Sequence, residues 1–135
     1  MKTCRSTILL LGLGIVLGVT GCTTPKLTQQ KRVVYGERND YELAFEFLQP
    51  RKTNGLGVVV MVSGSWRSNP DDFKPRMGKA FLRRGYSLFA VSHLSQPKAT
   101  IPEIYEDVTR AVRHIHEHAD EYGVDPSQLG VIGAS

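Results

Sequence analysis

The sequence predicts an α/β fold in which an antiparallel hairpin is followed by parallel strands with flanking helices. Three observations predict it. Residues 57–62, 86–91 and 129–132 are short and mostly apolar, the first of them rich in β-branched side chains, as strands covered on both faces are. Between the last two, Ile101, Ile104, Tyr105, Val108, Ala111, Val112, Ile115, Ala119 and Tyr122 recur at spacings of three and four, the signature of one apolar helix stripe. Ahead of them all, Tyr41, Leu43, Phe45 and Phe47 alternate with Glu42, Ala44, Glu46 and Leu48, the period of a half-buried strand.

The first segment stands apart from this fold. Lys2 and Arg5 precede an apolar run over residues 8–19, followed by small residues, which is the pattern of an export signal. The run has twelve residues, whereas a membrane-spanning helix needs roughly 20. Val19-Thr20-Gly21-Cys22 resembles a bacterial lipobox, which implies lipidation at Cys22 and a membrane-anchored protein on the periplasmic or cell-surface side. Residues 1–21 are therefore expected to be a signal peptide, 22–31 a tether and 32–135 the folded domain. With Cys4 in the leader and Cys22 lipidated, no cysteine is left for a disulfide. Without the leader, 15 basic residues face 13 acidic ones, and no basic stripe with interleaved aromatics points to nucleic acid.

The domain is expected to begin with a short strand at 33–35, turning at Asn39-Asp40 into the strand at 41–48. Residues 50–57 make a loop before the first buried strand. Asp71 or Asp72 then caps a helix running to Arg84, with Phe73, Met77, Ala80, Phe81 and Leu82 on its apolar side and Gly85 as its stop. After the strand at 86–91, Thr100 at N-cap and Glu103 three residues on form a capping box, and Pro102 sits in the first turn where no helical bond is lost. Gly123 ends this helix, and Asp125-Pro126-Ser127 turns the chain into the final buried strand.

That strand runs into Gly133-Ala134-Ser135. An apolar strand ending in Gly-x-Ser is the first part of the Gly-x-Ser-x-Gly nucleophile elbow, where a sharp turn holds the serine clear of the sheet. With Ser63-Gly64-Ser65-Trp66 and the run 122–135, residues 33–135 resemble the N-terminal half of an α/β-hydrolase. The resemblance is closest to the esterase and lipase branch that includes feruloyl-esterase-like and prolyl-oligopeptidase-like enzymes. It implies that Ser135 is the nucleophile, and that amide N–H groups of Gly64, Ser65 or Trp66 form the oxyanion hole, where the family often has His-Gly-Gly-Gly-Trp.

In such a fold the triad acid and histidine follow the serine. The chain is therefore expected to be incomplete at its C terminus, inactive by itself, and to leave the edge of the strand at 129 unpaired. The resemblance implies hydrolysis of small-molecule or polysaccharide-linked carboxylic esters without a cofactor. A peptidase of the same fold and a non-catalytic exported binding lipoprotein are the alternatives. His93 precedes Ser135, the wrong order for the triad base. On a helix His114 and His118 lie about 40° apart while His116 points about 160° away, so three histidines do not converge and no metal site is expected. Trp66 either lines an acyl pocket or packs on the helix that follows it.

Overall fold

The computed structural model describes residues 26–133. The expectations for the signal peptide, for lipidation at Cys22 and for Ser135 lie outside the described residues. Two strands open the fold, β1 (Leu27–Arg38) and β2 (Tyr41–Pro50), paired antiparallel from Leu27↔Pro50 to Arg38↔Tyr41. Asn39 and Asp40 both adopt positive φ, 52° and 60°, as a two-residue hairpin turn of type I′ requires; Asn and Asp tolerate this region best after Gly. β1 reaches back into the stretch expected to be a tether. Residues Thr28 to Arg32 are polar and exposed on an edge strand, so backbone pairing forms the strand there and leaves no apolar alternation to read.

Three further strands complete the sheet: β3 (Gly57–Met61), β4 (Ser87–Val91) and β5 (Leu129–Gly133). The order across the sheet is β1-β2-β4-β3-β5, with β4 antiparallel to β2 and β3 parallel to both β4 and β5. Side chains alternate between two cores. Phe45, Phe47, Val59, Phe89 and Val91 face one way, and Leu48, Val58, Leu88 and Ala90 the other. The first face is closed by α2 (Ile101–Glu117) and the 3-10 turn Ala119–Tyr122, which contribute Ala111, Ile115, Ala119 and Tyr122. The second is closed by Phe73 and by Leu82 of α1 (Lys79–Leu82). This is the mixed sheet flanked by helices that the sequence predicts.

The helix expected from Asp71 or Asp72 to Arg84 is not continuous. Asn69 accepts the Asp71 N–H at 3.0 Å and caps the 3-10 turn Pro70–Asp72; regular α-helix is confined to the four residues of α1. Pro75 explains the break, because proline lacks the N–H for a helical bond and pushes Lys74 out of the helical region. Met77 is accordingly exposed rather than packed. Gly85, at φ 91°, ends the segment as expected. β5 is the edge of the described sheet, as expected of a strand with an unpaired side, but it is not buried: Val131 is 58% exposed although the strand is apolar on both faces.

α2 begins as the sequence indicates. The Thr100 side chain accepts the Glu103 N–H, and the Glu103 carboxylate accepts the Thr100 N–H at 2.7 Å. Gly123, at φ 64°, takes the left-handed position that stops the 3-10 turn after the helix. The apolar stripe carries one charged residue inward. Asp107 is 0% exposed, and Arg38 from the end of β1 donates to it through Nε at 2.7 Å and Nη2 at 3.0 Å. Arg110 lies 3.6 Å away on the next turn. The pair ties the first hairpin to α2.

Two outcomes follow from these contacts. Arg38→Met leaves the Asp107 carboxylate buried without its main partner and should lower unfolding free energy by about 3 kcal/mol, read by urea denaturation. The Thr100 amide and hydroxyl hold the Glu103 carboxyl below its usual range. Its contribution is thus present above the ordinary glutamate range and lost as pH falls below it. Amide exchange at the first turn of α2 should quicken on acidification, and Glu103→Gln should flatten that dependence.

Candidate functional site

The parallel strands β3 and β4 run side by side to the rung Met61↔Val91, so the loops leaving them start at one level. One more backbone bond extends the pairing, from the Val62 N–H to the Val91 carbonyl at 2.8 Å. Past it, Gly64 and Arg67 exchange reciprocal N–H to carbonyl bonds of 2.9 Å each, folding Ser65 and Trp66 into a two-residue hairpin. Both central residues lie in the left-handed region, Ser65 at φ 51° and Trp66 at φ 60°. Neither has the short amide side chain or the missing Cβ that makes this region easy, so each costs on the order of 1 kcal/mol.

A hydroxyl network holds the loop in that shape. The Ser68 hydroxyl donates to the Val62 carbonyl and accepts the His93 N–H at 3.1 Å. The Ser68 N–H donates to Ser95 Oγ at 2.8 Å, and the Ser95 hydroxyl donates back to the Ser68 carbonyl at 3.1 Å. The Gln96 N–H reaches the Trp66 carbonyl at 3.2 Å. Behind them, the Tyr35 hydroxyl donates to the Ser92 carbonyl at 3.3 Å. Burial, and then the nearby Asp107 charge, push that phenol well above its usual range, so it stays a donor.

His93 is the buried imidazole of this network, 2% exposed. Its Nδ1 lies 3.0 Å from the Leu94 carbonyl and its Nε2 2.8 Å from Ser63 Oγ. A carbonyl oxygen only accepts, so Nδ1 carries the proton, and in the neutral ring Nε2 accepts the Ser63 hydroxyl. Sequence reasoning considered His93 only as a partner of Ser135 and missed this contact. The signal was positional: Ser63 and His93 each stand two residues beyond the same rung of the β3–β4 ladder.

Two clefts meet at Ser63. One, of about 460 Å³, lies at the carboxyl ends of β3 and β5 and is bordered by Ser63, Gly64, Arg67, Phe73 and Gly133. The other, of about 470 Å³, runs from Ser63 and His93 between Trp66 and the Ile101, Ile104 and Tyr105 side chains of α2. Trp66 is 47% exposed and forms a wall of that cleft, facing α2 rather than the segment that follows it in the chain.

Of the three residues expected to donate an oxyanion N–H, Gly64 has its amide committed to Arg67. Among the described residues the Ser65 and Trp66 N–H groups have no hydrogen-bond partner. Ser135 lies outside the described residues, two positions past Gly133 at the mouth of the first cleft. Three histidines do not converge: His114 of α2 and His118 just past its end stack at 4.3 Å, His118 Nδ1 meets the His114 carbonyl, and His116 is exposed. Burial and then His118 lower the His114 pKa. Among the described residues no group of three or more metal-binding side chains comes together.

Known proteins share this fold. The family model for BD-FAE matches residues 46–135. The probable isoprenylcysteine alpha-carbonyl methylesterase ICME of Oryza sativa subsp. japonica is 22% identical over 105 residues, covering 78% of this chain and 25% of that protein. A thermophilic esterase from the planctomycete Thermogutta terrifontis superposes with a TM-score of 0.69 at 21% identity, covering 78% of this chain and 40% of that one. A bacterial heroin esterase superposes at 0.61 with 24% identity, over 78% of this chain and 34% of its own. The chain thus spans about a quarter of the curated relative and about two fifths of the first of these structures. The fold shared with these esterases is the N-terminal part of an α/β-hydrolase. With two thirds of its length matched, the chain belongs to the BD-FAE family.

Proposed function

We propose that the protein is a serine hydrolase of carboxylic esters, with Ser135 as nucleophile and the Ser65 and Trp66 amides as oxyanion donors. The observation that carries this reading is the two-residue hairpin after β3, held with Ser65 and Trp66 at positive φ and with both N–H groups unpartnered among the described residues. Strained backbone that presents fixed donors beside a cleft is what acyl transfer uses. Negative charge develops on the carbonyl oxygen in the transition state, and a donor aimed there is worth about 3 kcal/mol. The hydroxyl network from Ser68 and Ser95 serves to keep those amides from relaxing toward water.

The cleft between Trp66 and α2 is apolar apart from Ser63 and His93, and suits an acyl or aryl group of the ester. The esterase names of the relatives support the same reaction class. In this fold the triad acid and histidine come after the nucleophile, so turnover is proposed to need residues beyond Ser135. A lipid at Cys22 would hold the domain at a membrane surface on the exported side.

Nitrophenyl-ester hydrolysis by the full-length gene product tests the reaction. Ser135→Ala should lower kcat by at least about 10⁴-fold, and turnover that survives the substitution removes Ser135 as nucleophile. Trp66→Ala keeps the amide and removes the cleft wall. It should raise KM for aryl and longer acyl esters by about tenfold while kcat changes little, since a lost apolar contact of this size is worth on the order of 1–3 kcal/mol.

A further inference from the structure

We propose that Ser63 and His93 form a second nucleophile and base pair, distinct from Ser135, that takes an acyl or phosphonyl group from an activated ester. The geometry is that of an activated serine: the hydroxyl lies 2.8 Å from the acceptor nitrogen of an imidazole, and a third group orients that imidazole from behind. Here the third group is the Leu94 carbonyl, 3.0 Å from Nδ1. It fixes the tautomer in which Nε2 is free to accept the serine proton, the same service a carboxylate gives in a catalytic triad.

The surroundings fit a reactive pair better than a buried structural contact. Ser63 borders both clefts, so its oxygen is approached from the site, while His93 lies beneath it, 2% exposed and shielded from water. The imidazole is held at both ring nitrogens, Nδ1 by the Leu94 carbonyl and Nε2 by Ser63 Oγ.

In the step itself Ser63 Oγ bonds to the carbonyl carbon or phosphorus, and its proton passes to His93 Nε2. The bond to the leaving oxygen, or to fluorine in a fluorophosphonate, then breaks, and the leaving group departs with that proton. A neutral carbonyl stabilises the resulting imidazolium less than a carboxylate does. The pair therefore suits esters with good leaving groups, such as aryl esters, and stoichiometric transfer more than rapid turnover.

The test uses the full chain carrying Ser135→Ala, incubated with a fluorophosphonate probe and mapped by peptide mass spectrometry. One adduct on Ser63 is expected, absent in Ser63→Ala, at least tenfold slower in His93→Gln, and absent when the protein is unfolded in urea. No adduct on Ser63 in the folded protein overturns the pair. So does equal labelling of folded and urea-unfolded protein, or an unchanged rate in folded His93→Gln. Should His93→Gln fail to fold, the comparison of folded with unfolded protein decides. Because Ser135 is missing throughout, this result is separate from that of the ester assay.

Discussion

The parallel pairing of β3 with β4, in the register that sets Met61 opposite Val91, is the constraint on which the rest of the site depends. It brings the segments 62–68 and 92–96 out of the sheet at one level, close enough for hydroxyls of one to bond the backbone of the other. A shift of that register would separate Ser63 from His93 and Ser68 from Ser95 together. The pairing is in turn secured by packing on both faces. Val59 and Phe89 sit in the core under α2, and Val58 and Leu88 in the core under α1. Large side chains on both sides leave no face to which a slipped strand could turn polar residues.

The conformation of the β3 loop is costly by itself, and the molecule offsets that cost locally. Two non-glycine residues at positive φ amount to roughly 2 kcal/mol of backbone strain, comparable to two or three ordinary hydrogen bonds in a folded protein. The reciprocal Gly64 and Arg67 bonds and the Ser68, Ser95 and Gln96 contacts supply six. What results is a short hairpin whose shape is set by its neighbours rather than by its own preference. Rigidity of this kind is useful to a reaction in which charge appears on one oxygen, since donors fixed beforehand need no reorganisation when it does.

Much of the fold was legible in the sequence because its signals are local. The Thr100 and Glu103 capping box, the Asn39-Asp40 turn and the stops at Gly85 and Gly123 each act within a few residues, and each occurs where the pattern indicates. Two fold features were misread for want of weight on backbone chemistry. Pro75 interrupts a helix that apolar spacing alone suggests, and the polar start of β1 is strand because β2 lies beside it. The site was only half legible. Gly133 and the loop at Trp66 could be located by pattern, but nothing in Ser-Trp signals positive φ. Nor does either local sequence hint that His93 meets Ser63, or that Asp107 on an apolar stripe meets Arg38 at the end of a distant strand. Those contacts come from strand register and helix docking, which join residues far apart in the chain.

The most direct measurement is a crystal structure of the full-length protein with a boronic or phosphonic acid analogue of the ester transition state bound to its serine. The account expects an analogue oxygen 2.7–3.1 Å from the Ser65 and Trp66 amide nitrogens, the span of a working oxyanion donor, with both residues still at positive φ. An oxygen bound away from those amides, or a hairpin that has relaxed out of the left-handed region, would contradict it.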